Sequence, residues 1–195
     1  MNIIRECIVI TTDKALFFDM DGTLVDTNLA NFLAYSKAIK LEMGMDGDLD
    51  FDPLLRFNRS VLKSTFPNLS ESEIDRVIQK KEGCYKEFLH KAMVIEENVK
   101  ILCKFSQTNK AVLITNCRED RALATLDFFG LKDKFSNIFC RKLGEQEGKI
   151  NKFRNAISVL GLDPDHIIAF ENEEAEIENA LEAGIKIINP KVSLE

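Results

Sequence analysis

The feature that most constrains the fold is an alternation of short apolar runs with helix-length segments along most of the chain. Three of the runs hold four apolar residues in succession and the others hold two or three, a pattern typical of a buried strand. Three of the helix-length segments end at a glycine, a residue that closes helices because it readily adopts the left-handed conformation. Strands and helices in alternation predict a parallel sheet with helices on both faces. The predicted strands are 14–18, 111–114, 166–170 and 185–188, with 136–140 as a weaker candidate, and the helices are 118–129, 149–160 and 173–183.

The segment 28–97 has a different pattern. Residues 28–40 and 71–90 show helical periodicity, and nothing between them is typical of a buried strand. Ser70 begins a capping box, a pattern that marks the start of a helix. We therefore predict an α/β, doubly wound parallel-sheet core formed by residues 1–27 and 98–195, with an all-helical cap domain of residues 28–97 inserted into it.

Composition excludes several classes of function. The chain has 195 residues and a net charge of −6, which disfavours broad binding to nucleic-acid phosphates. No stretch approaches the roughly 18 apolar residues that span a bilayer, and the first ten residues lack the pattern of a secretory signal. The five cysteines are scattered, as expected for reduced thiols. We expect a cytoplasmic protein, a monomer or small homo-oligomer, with no nucleic-acid or membrane partner.

Polar side chains follow three of the predicted strands at the point where each strand ends. They are Asp19, Thr115 and Glu171. In open parallel sheets, ligands bind outside the carboxyl ends of the strands. The sequence therefore predicts that these three residues converge on one site.

The most informative motif is Asp19-Met20-Asp21-Gly22-Thr23, directly after a predicted buried strand. Two carboxylates two residues apart point the same way in an extended chain, and Gly22 allows a sharp turn. This motif resembles the signature of the haloacid dehalogenase superfamily of aspartate-nucleophile phosphatases. The order of the later motifs is most similar to the helical-cap branch, which includes phosphoglycolate phosphatase-like and β-phosphoglucomutase-like proteins. The resemblance implies a Rossmann-like core and Mg²⁺-dependent hydrolysis of a small phosphorylated metabolite.

The same resemblance implies roles for individual residues. Asp19 would form an aspartyl-phosphate, while Asp21 would protonate the leaving oxygen and then activate water, since covalent catalysis divides one difficult displacement into two. Thr115 would hold the phosphoryl oxygens. Gly22, Thr23 and Asn116 are further candidates for substrate binding.

The third motif of the family requires a lysine near the start of the helix before the acidic strand. Lys149 and Lys152 both stand in that region. Lys149 is the favoured candidate, because it lies where a glycine loop becomes helix. The lysine would offset the negative charge of the nucleophile and of the transferring phosphoryl group.

The fourth motif departs from the family pattern. Asn172 stands where the capped relatives have a metal-binding aspartate, with Glu171 before it and Glu176 four residues beyond. The resemblance implies Mg²⁺ ligands among Asp19, the backbone carbonyl of Asp21, Glu171, Asn172 and Glu176. An amide oxygen brings no negative charge, so either the remaining carboxylates hold the ion or the affinity for Mg²⁺ and the activity are low.

The cap is expected to choose the substrate. Arg59 and Lys81 are its candidate substrate-binding cations, although a solvated helix face is the more usual explanation of such charges. A phosphosugar mutase remains an alternative to a phosphatase. A catalytically weak phosphate-binding sensor is another, which Asn172 favours. Dehalogenation is disfavoured because Asp21 supplies an acid, and a metal-dependent glycosyltransferase is disfavoured because no nucleotide-binding pattern precedes Asp19.

Overall fold

The computed structural model describes residues 7–44, 49–141 and 151–194. The chain divides into two compact units, one formed by residues 1–25 and 94–195 and the other by residues 26–93. The second unit begins two residues before and ends four residues before the predicted insert, residues 28–97. Within the described ranges, no helix is both long enough and apolar enough to cross a membrane. The cysteines with described side chains (Cys84, Cys103, Cys117 and Cys140) form no disulfide.

The elements alternate along the chain much as predicted. The strands are β1 (Cys7–Ile8), β2 (Ala15–Phe18), β3 (Val25–Asp26), β4 (Met93–Val94), β5 (Ala111–Arg118), β6 (Asn137–Arg141), β7 (Ile167–Phe170), β8 (Ile187–Ile188) and β9 (Lys191–Val192). The α-helices are α1 (Asn28–Met43), α2 (Arg59–Thr65), α3 (Glu71–Cys84), α4 (Glu96–Phe105), α5 (Glu119–Phe128), α6 (Lys152–Leu160) and α7 (Glu174–Glu182). Short 3₁₀ helices lie at Tyr85–Lys91, Lys132–Lys134 and Pro164–His166.

A five-stranded sheet organises the first unit. Its order is β6-β5-β2-β7-β8, and every adjacent pair is parallel. All five predicted strands are present, so the predicted fold class, a parallel α/β core with an inserted helical cap, is confirmed. Phe18, the last residue of β2, pairs with Leu113 of β5 and Phe170 of β7. Asp19 follows Phe18 and Glu171 follows Phe170, so these two carboxylates lie at the same edge of the sheet.

One strand is longer than the sequence indicated. β5 continues to Arg118, beyond the expected end at Ile114, with an irregular register between Ile114 and Arg118 before it pairs again with Arg141 of β6. Its last residues are polar, so hydrophobic patterning could not reveal them. Thr115 consequently lies within the strand instead of directly after it.

Apolar side chains attach helices α6 and α7 to one face of the sheet. Phe17 and Val112 on the sheet belong to the same buried cluster as Phe153 and Ala156 of α6 and Ala180 of α7. Helix α6 ends at Gly161, whose φ of 62° is the left-handed conformation that the sequence predicted there. This packing fixes α6, and with it the side chain of its first residue, Lys152.

The second unit consists of helices around its own apolar core, formed by Phe32, Tyr35, Ala38, Ile39, Phe57, Leu62, Ile74 and Val77. The predicted capping box is present at the start of α3: the Ser70 hydroxyl accepts from the Glu73 N–H, and the Glu73 carboxylate accepts from the Ser70 N–H. The helix expected over 71–90 leaves the α conformation after Cys84 and continues as the 3₁₀ helix Tyr85–Lys91. The two-turn helix α2 was not predicted, because seven residues are too few to show a clear period.

Candidate active site

A tight turn after β2 brings the two motif aspartates to the edge of the sheet. The Met20 carbonyl accepts hydrogen bonds from the N–H groups of Thr23, Leu24 and Val25, which winds the chain back on itself. Gly22 has a φ of 82°, a conformation that few other residues adopt without strain. Asp19 and Asp21 are 6% and 9% exposed, so both carboxylates lie largely out of solvent.

Lys152 links three carboxylates at this edge. Its Nζ lies 2.9 Å from Asp19 Oδ1, 2.7 Å from Glu171 Oε2 and 3.6 Å from Glu176 Oε2. The lysine and the first two carboxylates are each at most 8% exposed at the side chain. Lys149, the lysine that the sequence favoured, lies outside the described residues. Of the two candidates, Lys152 is therefore the one whose contacts are described, and it touches the proposed nucleophile.

Burial and charge shape the protonation of this cluster. Burial, together with the charges of Glu171 and Asp21, raises the pKa of Asp19 to about 7 against the opposing effect of Lys152. Burial alone would lower the pKa of the Lys152 ammonium, but Asp19 and Glu171 outweigh it and raise that pKa above its ordinary value. Lys152 is thus charged at neutral pH, whereas Asp19 lies near the midpoint of its titration.

Backbone groups fix the position of Glu171. Its Oε1 accepts from the N–H groups of Asn172 and Glu173, at 2.9 and 3.0 Å. Asn189 holds the backbone of the same residue, because its Oδ1 accepts from the Glu171 N–H and its Nδ2 donates to the Glu171 carbonyl. Asn189 itself has a φ of 49°, which asparagine tolerates better than most residues. Glu171 is therefore a rigid anchor for Lys152.

Thr115 and Asn116 lie on the neighbouring strand β5. The buried Thr115 hydroxyl accepts from the Cys117 N–H at 3.1 Å. Asn116 Nδ2 donates to Glu176 Oε1 at 3.0 Å. Asn116 thus contacts the carboxylate cluster, and Glu176 is held between this amide and Lys152.

Asp21 has a partner that the sequence did not reveal. Arg121, on the first turn of α5, donates from Nη2 to Asp21 Oδ2 at 3.1 Å, and both side chains are mostly buried. A cation on the first turn of a helix opposes the helix dipole, so it needs a compensating partner. That unfavourable placement was the one signal in the sequence that could have identified Arg121.

Asn172 contacts the turn after β2. Its Oδ1 accepts from the Thr23 hydroxyl at 3.0 Å, and its amide packs so closely on Gly22 that a Cβ at position 22 would lie 2.5 Å from Asn172 Nδ2. Asn98, also missed from the sequence, donates to the Thr23 carbonyl at 2.9 Å. Gly22 and Thr23, the predicted substrate-binding residues, are thus held by two amides. A pocket of about 450 Å³ opens here, lined by Gly22, Thr23, Asn98, Glu171, Asn172 and Asn189 among others.

The two candidate cations of the second unit have different surroundings. Arg59 is exposed and pairs with Glu71 and Asp75, at 2.8 and 2.6 Å. Lys81 is only 2% exposed; its Nζ lies 3.1 Å from Glu82 Oε1 and 5.0 Å from the centre of the Tyr35 ring. Arg59 thus forms ordinary ion pairs at the protein surface. Lys81 does not lie on a solvated helix face.

The side chains at the sheet edge fit a small divalent cation in charge and in chemistry. The contacts above join four carboxylates (Asp19, Asp21, Glu171 and Glu176) to two cations, Lys152 and Arg121. In the part of the chain that the structure describes, no three Asp, Glu, His or Cys side chains cluster as a metal site by themselves. Mg²⁺ commonly binds through one or two carboxylates and completes its shell with water and phosphate oxygens, so such a cluster is not required.

Comparisons with known proteins agree with this geometry. The family model described as haloacid dehalogenase-like hydrolase matches residues 16–189. A haloacid dehalogenase-like hydrolase from Streptococcus pneumoniae is 22% identical with a TM-score of 0.69, covering 91% of this chain and 84% of that one. A predicted phosphoglycolate phosphatase from Haemophilus somnus is 23% identical with a TM-score of 0.69, covering 90% and 84%.

A third solved structure, CbbY from Rhodobacter sphaeroides in complex with phosphate, is 15% identical with a TM-score of 0.74 and covers 93% of this chain and 89% of that one. At these identities, the solved structures show a shared fold. The family model spans most of the chain, including β2 with its aspartate motif and β7 with Glu171. The chain belongs to the haloacid dehalogenase-like hydrolase family.

Proposed function

We propose that the protein is a Mg²⁺-dependent phosphomonoester hydrolase that acts on a small phosphorylated metabolite through an aspartyl-phosphate on Asp19. The observation that carries this proposal is the contact of Lys152 with both Asp19 and Glu171, with Asp21 two residues beyond the nucleophile. A buried carboxylate beside a fixed ammonium is suited to attack an anionic phosphoryl group, because the cation offsets repulsion between the two. The raised pKa of Asp19 is consistent with a site that needs further positive charge to keep the nucleophile ionised.

The chain supplies the groups for two successive displacements. Asp19 attacks phosphorus, and Asp21 gives its proton to the departing oxygen as the ester bond breaks. Asp21 then takes a proton from the water that attacks the aspartyl-phosphate and restores Asp19. The Thr115 hydroxyl and the Lys152 ammonium stabilise the transferring group, and Glu171 holds the lysine in place.

Asp19, the Asp21 carbonyl, Glu171, Glu176 and Asn172 are the proposed Mg²⁺ ligands, directly or through water. When bound, Mg²⁺ supplies positive charge to the phosphoryl oxygens. The cap is proposed to choose the substrate. Arg59, which pairs with two surface carboxylates, and Lys81, which is only 2% exposed and pairs with Glu82, are the candidate cations for this role.

The proposal is tested by measuring phosphate release from a panel of phosphorylated metabolites, with Mg²⁺ and with chelator, for wild type and Asp19→Asn. We expect Mg²⁺-dependent release in wild type and at least about a 10³-fold loss in the variant, since the nucleophile is removed. Isomerisation of a sugar phosphate without release of phosphate would instead identify a mutase. Equal release by both proteins would refute the role of Asp19.

A second candidate function is a phosphate-ligand binding protein with little turnover. Asn172 favours it, because a neutral amide replaces a charged metal ligand and its oxygen is engaged by Thr23. Calorimetry of Mg²⁺ binding to wild type, Asn172→Asp and Asn98→Asp tests whether Asn172 is a metal ligand, and turnover separates the two functions. If Asn172 is a ligand, Asn172→Asp should tighten Mg²⁺ about tenfold, and more than the control in the same pocket. Equal tightening would indicate a general charge effect, and metabolite binding without turnover would support the sensor.

A further inference from the structure

Arg121 and Asp21 form a largely buried ion pair between two elements that are far apart in sequence. The Nη2 of Arg121 lies 3.1 Å from Asp21 Oδ2, and the two side chains are 14% and 11% exposed. The residues are 100 positions apart, so the contact joins the turn after β2 to the first turn of α5. Nothing in the mechanism above uses the arginine.

A second contact fixes the guanidinium. Arg121 Nε lies 2.8 Å from the Sγ of Cys117, a buried residue near the end of β5. Two different nitrogens of one planar group are thus engaged on two sides, which leaves the group little freedom to rotate. The guanidinium is therefore a rigid partner for the Asp21 carboxylate.

We propose that Arg121 is a positioning residue that orients Asp21 for proton transfer to the leaving oxygen; this inference rests on the proposed function. By binding Oδ2, Arg121 restricts the rotation of the Asp21 carboxyl group. In the first displacement a bond forms between an Asp19 oxygen and phosphorus, the ester P–O bond breaks, and Asp21, in its protonated form, gives its proton to the departing oxygen. In the second, water attacks phosphorus, the Asp19–phosphorus bond breaks, and Asp21 receives a proton from the water.

The leaving group distinguishes a positioning role from a structural one. An alkyl phosphate releases a strongly basic alkoxide unless its oxygen is protonated as the bond breaks, whereas p-nitrophenyl phosphate releases a stable phenolate that needs little protonation. A misplaced Asp21 should therefore slow hydrolysis of the alkyl ester selectively. A loosened fold should slow the hydrolysis of both esters alike.

The experiment compares kcat and KM of wild type, Arg121→Gln and Arg121→Lys on glycerol phosphate and on p-nitrophenyl phosphate, with Arg118→Gln as control. Arg118 lies three residues away and pairs with Asp120. We expect Arg121→Gln to lower kcat about 30-fold on glycerol phosphate and less than about 3-fold on p-nitrophenyl phosphate, with KM nearly constant. Arg121→Lys, which keeps the charge and the fold, should show the same selectivity with a smaller loss.

A double-variant comparison completes the test. If Arg121 acts through Asp21, adding Arg121→Gln to Asp21→Asn should cause no further selective loss on glycerol phosphate. Equal losses on the two esters, or independent effects in the double variant, would overturn the inference while leaving the phosphatase intact. Wild-type protein that releases phosphate from neither ester and from no metabolite of the panel would overturn the proposed function, and this inference with it.

Discussion

Lys152 separates two buried carboxylates that would otherwise repel each other. Asp19 and Glu171 directly follow the neighbouring strands β2 and β7, and the ammonium touches one oxygen of each. Removing one member of such a group leaves an uncompensated buried charge. The resulting loss in folding free energy is larger than the net stabilisation that the ion pair provides. The lysine therefore serves both the fold and the proposed chemistry.

Replacing this lysine tests both roles. Lys152→Met should lower the activity at least about 100-fold, because the transferring phosphoryl group loses its fixed cation. It should also lower the free energy of unfolding by about 3 kcal/mol, since Asp19 and Glu171 lose their shared partner. Phosphate release and urea unfolding measure the two effects. Loss of activity in Lys149→Met, with Lys152→Met still active, would show that the sequence-based choice of Lys149 is correct.

Residues with a recognisable spacing could be identified from the sequence, and residues defined by a distant contact could not. Asp19 and Glu171 directly follow apolar strand runs, so their place at one edge of the sheet could be predicted from topology. Arg121, Asn98 and Asn189 act through partners that are 100, 75 and 18 positions away. Apart from the unfavourable place of Arg121 in the first turn of α5, no local pattern encodes those contacts, which depend on how the turn after β2, the helices and the strand ends pack.

At the scale of elements, hydrophobic patterning identified what is buried and missed what is short or polar. The five strands of the central sheet were predicted because each contains a run of apolar residues that the helices cover. The polar end of β5, from Thr115 to Arg118, and helix α2 carry no such signal. Strand β5 is extended there by pairing with β6, an effect of tertiary structure.

The start of helix α6 connects helix capping to the proposed active site. Asn151 caps the helix with its Oδ1, which accepts from the N–H groups of Phe153 and Arg154, and its Nδ2 donates to the Asn179 carbonyl of α7. Lys152 is the next residue. The cap therefore fixes the first turn from which the lysine reaches Asp19.

Asn151→Ala should lower the free energy of unfolding by about 1–2 kcal/mol, because two helix N–H groups lose their acceptor. It should also lower the activity several-fold, since the first turn carries Lys152. Asn151→Ser keeps a capping oxygen and should recover most of the stability. Chemical denaturation and phosphate release provide the two measurements. Full activity in the alanine variant would show that the lysine is positioned without the cap.

Ser70 caps α3 in the second unit and offers a matched comparison. Ser70→Ala removes a similar hydrogen bond from a helix that carries none of the proposed catalytic groups. It should cost about 1 kcal/mol of stability. The ratio of activity loss to stability loss should therefore be larger for Asn151→Ala than for Ser70→Ala. Equal ratios would mean that activity follows global stability alone.

At the scale of the whole molecule, the buried carboxylates make stability depend on pH and on metal. Burial raises the pKa of Asp19 from 3.8 to about 7, so between these values the folded protein keeps a proton that the unfolded chain has released. The stabilising contribution is complete below about pH 4 and is lost as pH rises through 7.

Asp19→Asn places a neutral group where the carboxylate is penalised, so it should stabilise the metal-free protein. The increase in Tm over wild type should be small at pH 5 and larger at pH 8, and saturating Mg²⁺ should reduce the difference by stabilising wild type. Thermal unfolding of both proteins in chelator and in Mg²⁺, at both pH values, measures this difference in Tm. Asp165 is the control: its hydrogen bond with Lys186 lowers its pKa, so Asp165→Asn should not stabilise the protein. A Tm increase that is the same at pH 5 and pH 8 would refute this account, because only an ionised Asp19 destabilises the folded state.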